Sequence, residues 1–270
     1  MKKRIISGVI IVLVTGLFLC LNNGIVDTII VLILSCAGIY EYNKAFKSAG
    51  YRPISFIGYV ACLSTLLVGT VISEENKMMI IKFVLPFLLI GAFAYIIFTK
   101  MRRNIVDVAI TIFSLLYIPF MFSFLKLILL LENGRFFLTY VIVVAFVGDA
   151  FAYMVGRALG KHQLCPEISP NKTVEGSLGS IVGVTLAGVI ITTVGNLLMG
   201  MNLNIWYMLL AGFFAGIAGQ FGDLAASAIK RFCKIKDFSN LIPGHGGILD
   251  RFDSILFIAP IMYMFLKIYM

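Results

Sequence analysis

Residues 205–231 read IWYMLLAGFFAGIAGQFGDLAASAIKR, in which no charge precedes Asp223 and small or apolar residues then continue to Lys230 and Arg231. The hydrocarbon core of a bilayer takes roughly 20 mostly apolar residues as a helix, so this stretch predicts a transmembrane helix that carries a carboxylate. The same criterion selects Ile5–Leu21, Val26–Tyr40, Ile54–Ile72, Met78–Phe98 and Ile105–Leu131, followed by Phe137–Leu159, Leu178–Met199 and Leu249–Tyr269. The expected fold class is therefore all-α, a polytopic integral membrane protein with about nine transmembrane helices. Pro119 predicts a kink or an interfacial stretch in the fifth run. Composition agrees: 60% of the 270 residues are hydrophobic, 13% are charged, and the mean hydropathy is +1.02. Soluble domains carry about 25% charged residues, which excludes a water-soluble monomer. The 23 phenylalanines exclude intrinsic disorder.

Charge orients the chain. Lys and Arg number 22 against 13 Asp and Glu, for a formal net charge of +9. Alternating the runs from a cytoplasmic N-terminus puts Lys2, Lys3, Arg4, Lys44, Lys47, Arg52, Lys100, Arg102 and Arg103 inside. Arg157, Lys161, Lys172, Lys230, Arg231, Lys234, Lys236 and Arg251 fall inside as well. Only Lys77, Lys82, Lys126, Arg135 and Lys267 remain for the outside gaps and the spans. Such an asymmetry is the positive-inside rule, and it predicts a multi-pass protein of the cell (inner) membrane. The basic residues lie in short gaps between apolar runs, which suits an anionic bilayer surface and phosphorylated substrates and argues against nucleic acid as a partner. The five cysteines, Cys20, Cys36, Cys62, Cys165 and Cys233, form no C-x-x-C pair, so neither a disulfide framework nor a zinc site is expected. Lys2-Lys3-Arg4 before an apolar run resembles a signal peptide, but no small-residue cleavage site leads into a polar domain, and the run is expected to stay as the first span.

The chemistry gathers in the second half. The expected division is residues 1–104, about four spans, and residues 105–270, a catalytic region with cytoplasmic loops near 160–176 and 230–248. Ionisable groups within spans are functional candidates by default, and Asp149 and Asp223 qualify. The bland alternative for both is a carboxylate near a helix end, satisfied by backbone or water. Asp223, Ser227 and Lys230 fall at i, i+4 and i+7 on one helical face, with Arg231 one step round. Beyond them, Pro243-Gly244 and Gly246-Gly247 bracket His245 in a tight turn. Asp250 and Asp253 then occupy the first turn of the last helix, where the helix dipole would favour carboxylates as simple caps. Three carboxylates from two helix ends beside Lys230, Arg231 and Lys236 also suit Mg²⁺ with a polyphosphate. In the earlier loop, Ser169, Lys172 and Thr173 offer hydroxyls, an ammonium and a helix N-terminus to an anion. Thr173 and Glu175 could instead only cap the following span.

Residues 227–253, SAIKRFCKIKDFSNLIPGHGGILDRFD, resemble the signature of the phosphatidate cytidylyltransferases, the CDP-diacylglycerol synthases. Ser227, Lys230, Arg231, Lys236, Asp237, Ser239, Pro243, His245, Gly246, Gly247, Asp250, Arg251 and Asp253 each fall on a specified position. The segment SPNKTVEG at 169–176 is similar to that family's S-P-K-K-T-x-E-G, with Asn171 in place of a Lys. The first half resembles the family only in being polytopic. The resemblance implies an enzyme that uses CTP and phosphatidate to make CDP-diacylglycerol and pyrophosphate with Mg²⁺, and a second metal ion is compatible with it. Carried over by position, Asp223 and Asp250 would be metal ligands, Asp253 a further ligand or support, and Asp149 a fourth candidate. Lys230, Arg231 and Lys236 would hold phosphates, Lys172 and Ser169 would contact CTP or pyrophosphate, and Thr173, Ser227 and Arg251 complete the substrate-binding candidates. His245 would shape its turn or hydrogen-bond a phosphate. Two alternatives stand beside this reading: a related nucleotidyltransferase acting on an isoprenoid lipid phosphate, and an ion-coupled membrane transporter. A homodimer is compatible with the first hundred residues, although nothing in the sequence argues for one.

Overall fold

The computed structural model describes residues 16, 23–70, 74–100, 102–242, 244 and 246–270, and their side chains except at 65–83 and 85. The chain folds into two compact units interleaved in sequence, Met1–Leu127 with Phe232–Arg251 and Ile128–Arg231 with Phe252–Met270. The division at residue 104 separates the chain by expected chemistry, whereas these units follow packing.

The first unit begins with α1 (Gly24–Ser48), capped by the Asn23 side chain, which accepts from the backbone of Ile25 and Val26. Helix α1 continues eight residues beyond the expected Tyr40 because the apolar face persists through Tyr42, Ala45 and Phe46, all buried. Helices α2 (Ser55–Thr70) and α3 (Glu74–Phe98) follow, then α4 (Ile105–Leu129). Asn104 and Asp107 cap α4 reciprocally, each side chain taking the other's backbone N–H. Pro119 does perturb this helix, which widens to a π-turn over Leu116–Phe120 because proline has no N–H for the regular ladder. Ile54, Ile57, Ala61, Ala92, Ile96, Val108 and Leu115 pack α2, α3 and α4 into one core.

Hydrogen bonds reveal how the ends of this unit are sorted. Asp107 Oδ1 accepts from Arg52 N at 2.7 Å and Thr111 Oγ1 from Ile54 N at 2.8 Å, so the end of α1 and the start of α4 share one end. At the other, Lys126 donates to the Gly24 carbonyl at 2.8 Å. Helices α1 and α4 are thus antiparallel, with the basic segments around Arg52 and Arg103 together, as the alternating charge pattern requires.

The second unit contains α5 (Gly134–Leu159), a short antiparallel hairpin of β1 (Gln163–Cys165) and β2 (Ser169–Thr173), and α6 (Val174–Met199). Most of α7 (Ile205–Phe232) and of α8 (Leu249–Tyr269) belong to it as well. Small residues bring these helices close, the usual device where lipid supplies no hydrophobic drive between them. A Cβ at Gly179 would meet Val155 at 2.6 Å, and one at Gly216 would meet the Ile181 Cα at 3.0 Å. Gly212, Gly216, Gly219 and Gly222 line α7 at helical spacing, the first two against α6 and the last two against α8.

The number of spans differs from the expectation. Six helices among the described residues, α1 and α4 to α8, are long and apolar enough to cross a membrane, fewer than the nine expected. Helix α2 has only 16 residues, about 24 Å at 1.5 Å per residue, and the described apolar part of α3 is Pro86–Phe98. The run Ile5–Leu21 lies outside the described residues, Gly16 excepted. The all-α class of the membrane protein holds, and loop 160–176 closes on itself as the short β1–β2 hairpin. The strands are too short, and too rich in Pro, Ser and Lys, for alternation to announce them.

Candidate active site

In the second unit the site grows from one close helix contact. A Cβ at Gly222 would lie 3.1 Å from both the Asp253 carbonyl carbon and the Ser254 Cα, and would collide with the Asp253 oxygen. Only glycine lets α7 approach the first turn of α8 this closely. The next residue on α7 is Asp223, and Asp253 lies within electrostatic reach of Asp223, Asp149 and Lys230. Asp253 Oδ1 accepts from Ser254 N at 2.8 Å. Ser227, one turn beyond Asp223, donates to its Oδ1 at 3.4 Å, as the i, i+4 reading requires.

The hairpin brings a cation to this group. Lys172, near the end of β2, pairs its ammonium with Asp223 Oδ2. The two side chains are 20% and 31% exposed, so the pair is only partly screened by solvent. Arg231 fastens the same hairpin by donating from Nε to the Ile168 carbonyl at 3.1 Å. Thr173 is the N-cap of α6, its Oγ1 accepting from Gly176 N at 3.1 Å, and it packs under Gly156 and Gly160. Glu175 does not close a capping box. It accepts from the backbone of Lys161 and His162 and meets the His162 ring at 2.7 Å, holding the entry to β1. Ser169 opens β2 opposite Cys165.

In the first unit a second set of contacts shapes the other signature segment. Asp250 Oδ2 accepts from Phe238 N at 2.9 Å and Gly247 N at 3.0 Å, tying the two ends of the loop together. A residue absent from the expectations lies behind it: Glu41, fully buried on α1. Its Oε1 accepts from Ser239 Oγ at 2.5 Å and Ile248 N at 2.9 Å, and its Oε2 from Leu249 N at 2.8 Å. The uncharged run in the sequence stops at Tyr40, so hydropathy alone leaves Glu41 outside the span, whereas the helix continues to Ser48. The continuing apolar register through Tyr42 and Phe46 was the signal that could have placed it inside the fold.

Asp223, Asp253, Asp149, Lys230, Lys172 and Ser227 therefore come together within the second unit, with Arg231 and Thr173 supporting the hairpin. Asp250 belongs to the first unit's loop contacts, and Lys236 and Arg251 are exposed there. His245 lies outside the described residues, as does Pro243. Among the described residues no three His, Cys, Asp or Glu side chains stand assembled as a metal-binding group; the Lys172 ammonium faces Asp223 instead. Carboxylate oxygens are nonetheless the donors a hard divalent cation takes, and Asp223, Asp253 and Asp149 supply them in one neighbourhood.

The family model for the cytidylyltransferase family matches residues 2–269. The chain belongs to the cytidylyltransferase family. It is 35% identical over 274 residues to a phosphatidate cytidylyltransferase of Bacillus subtilis (strain 168), covering 100% of this chain and 98% of that one. A phosphatidate cytidylyltransferase of Staphylococcus epidermidis is 29% identical over 269 residues, 98% of this chain and 99% of the relative. One from Staphylococcus haemolyticus is 38% identical over 173 residues, 64% of each chain. The similarity thus reaches well beyond the late signature into the first half, where α1 contributes Glu41 to the signature loop of this cytidylyltransferase.

Proposed function

We propose that this chain is a phosphatidate cytidylyltransferase, transferring CMP from CTP to phosphatidate to give CDP-diacylglycerol and pyrophosphate. An oxygen of the lipid phosphate attacks the α-phosphorus of CTP, the bond from that phosphorus to the β-phosphate oxygen breaks, and pyrophosphate leaves. A phosphate monoester has its second ionisation near pH ~6, so the nucleophile needs no strong base from the protein. The main obstacle is repulsion between two anions. The gathering of Asp223, Asp253 and Asp149 with Lys172 and Lys230 carries this reading, and the full-length similarity to chains of that name supports it.

Mg²⁺ would be held by Asp223 and Asp250, with Asp253 and Asp149 as further ligands, and when bound it supplies charge neutralisation between the reactants. Lys230, Arg231 and Lys236 hold phosphates. Lys172 serves both sides of the reaction: it partners Asp223 before the nucleotide arrives and takes a phosphate oxygen afterwards. Ser169, Ser227 and Arg251 complete the contacts to CTP or pyrophosphate, and His245 shapes its turn. The site would face the cytoplasm from the inner membrane, where CTP is available, a reading supported by the basic segments, and the lipid would enter sideways with its acyl chains in the bilayer. The run at 5–21, α2 and α3 would complete about nine crossings, and the first hundred residues would provide any dimer contact.

Purified protein in mixed micelles tests the reading. CTP, phosphatidate and Mg²⁺ together should yield a chloroform-soluble nucleotide and one pyrophosphate, and omission of any one should abolish both. Product formed equally without phosphatidate, or with an isoprenoid phosphate in its place, would contradict it.

A further inference from the structure

A buried carboxylate is costly unless hydrogen-bond donors meet its two oxygens. Glu41 meets that condition with groups distant in sequence. It accepts from Ile248 N and Leu249 N, donors at the start of α8, which a helix leaves without internal partners. The macrodipole of α8 adds a favourable field for a negative charge at this place. The third donor, Ser239, itself accepts from Leu241 N at 3.1 Å, so the carboxylate reaches the opposite strand of the same loop. A Cβ at Gly247 would lie 2.6 Å from Oε1 and 2.7 Å from Oε2, which means the loop backbone rests directly on the carboxylate. Asp250 binds Phe238 N and Gly247 N from the other side. Two carboxylates therefore close one loop neck, and Glu41 determines where the turn bearing Asp250 begins.

We infer that Glu41 is a positioning residue for nucleotidyl transfer: by fixing the neck of loop 239–248 and the first turn of α8 it sets the aim of Asp250. The inference rests on the reading of Asp250 as a ligand for the Mg²⁺ that accompanies CTP. It makes α1 part of the catalytic assembly, although Glu41 need touch neither substrate. Partners of metal-ligating carboxylates commonly matter by about 10–100-fold in activity or metal affinity.

The experiment uses the full-length protein in detergent. Glu41→Gln keeps the side chain's size but presents an amide NH₂ where a backbone N–H now donates. It should lower kcat by about 10–100-fold, raise the Mg²⁺ concentration for half-maximal rate, and speed amide hydrogen exchange across 238–249. Ser239→Ala removes one donor and leaves the helix cap, so a smaller loss of about three- to tenfold is expected with the same rise in Mg²⁺ requirement. The melting temperature is recorded for each variant. Wild-type kcat and Mg²⁺ dependence in Glu41→Gln would overturn the proposal. So would activity that falls only in step with the folded fraction, Mg²⁺ dependence unchanged. A wild-type protein that performs no transfer would instead overturn the reaction itself, and with it this role, while amide exchange would still report whether Glu41 closes the loop.

Discussion

Gly222→Ala and Gly219→Ala, one turn apart on α7, separate the geometry of the site from the composition of the helix. Alanine is the better helix former by about 0.8–1 kcal/mol, so propensity alone expects both to stabilise. At Gly219 the new methyl would meet the Ile258 Cδ1 at 3.1 Å, the end of a side chain that needs to shift by only a few tenths of an ångström about its own torsions. At Gly222 the neighbours at 3.1 Å are the Asp253 carbonyl carbon and the Ser254 Cα, backbone atoms with no such freedom. Carbon atoms rest at about 3.5–4.0 Å, so α7 and the first turn of α8 must part by roughly 0.5 Å or more. Overpacking of this kind costs about 1–3 kcal/mol, and a displacement approaching 1 Å at reacting groups can cost about 10²-fold in rate. Gly222→Ala should therefore lower both melting temperature and kcat, the latter by about 10–100-fold, while Gly219→Ala stays within about threefold of wild type. Initial rates of CDP-diacylglycerol formation in mixed micelles and thermal melting in the same detergent provide the readouts. Gly222→Ala with wild-type rate and unchanged or raised stability would refute the claim that this contact positions Asp223 beside Asp253.

Three further outcomes are expected. Asp223→Asn should reduce turnover by on the order of 10²-fold or more with membrane insertion intact, and near-normal activity would remove Asp223 from the site. Lys230→Ala should cost about 1.5–3 kcal/mol in kcat/KM, the worth of a charge-assisted phosphate bond; an unchanged value would leave the ammonium as a marker of the membrane edge. Thr173→Ala removes the N-cap of α6 and should cost about 1 kcal/mol of stability, measured by denaturation in detergent. A melting curve superimposable on wild type would show that the hairpin holds without the cap.

The spans that carry chemistry were legible in the sequence because a bilayer demands long uncharged runs, and α7 is visible from Ile205 onward as one. The face shared by Asp223 and Ser227 was legible too, since a helical register converts spacing directly into neighbourhood. What escaped depends on contacts between segments remote in sequence. Glu41 meets its partners Ser239, Ile248 and Leu249 only after folding, and a single carboxylate after an apolar run gives no hint of them. The sequence offers Lys172 as a phosphate-binding candidate, but its pairing with Asp223 requires the hairpin, whose strands are too short to carry a periodic signal. The glycines of α6 and α7 were visible as residues, while their purpose, close backbone approach, needed the facing helices. Spacing puts Asp250 with Asp253 in the first turn of a helix and the family resemblance suggests its ligand role, but neither indicates the loop amides of Phe238 and Gly247 that occupy one of its oxygens.

The partition of label from CTP in proteoliposomes containing phosphatidate and Mg²⁺ tests the assigned reaction most directly. With label in the α-phosphate, radioactivity should pass into the lipid phase; with label in the γ-phosphate it should appear only in aqueous pyrophosphate, one for each lipid nucleotide formed. Transfer of the γ-label to lipid, or lipid labelling from neither position by folded protein, would contradict nucleotidyl transfer at this site.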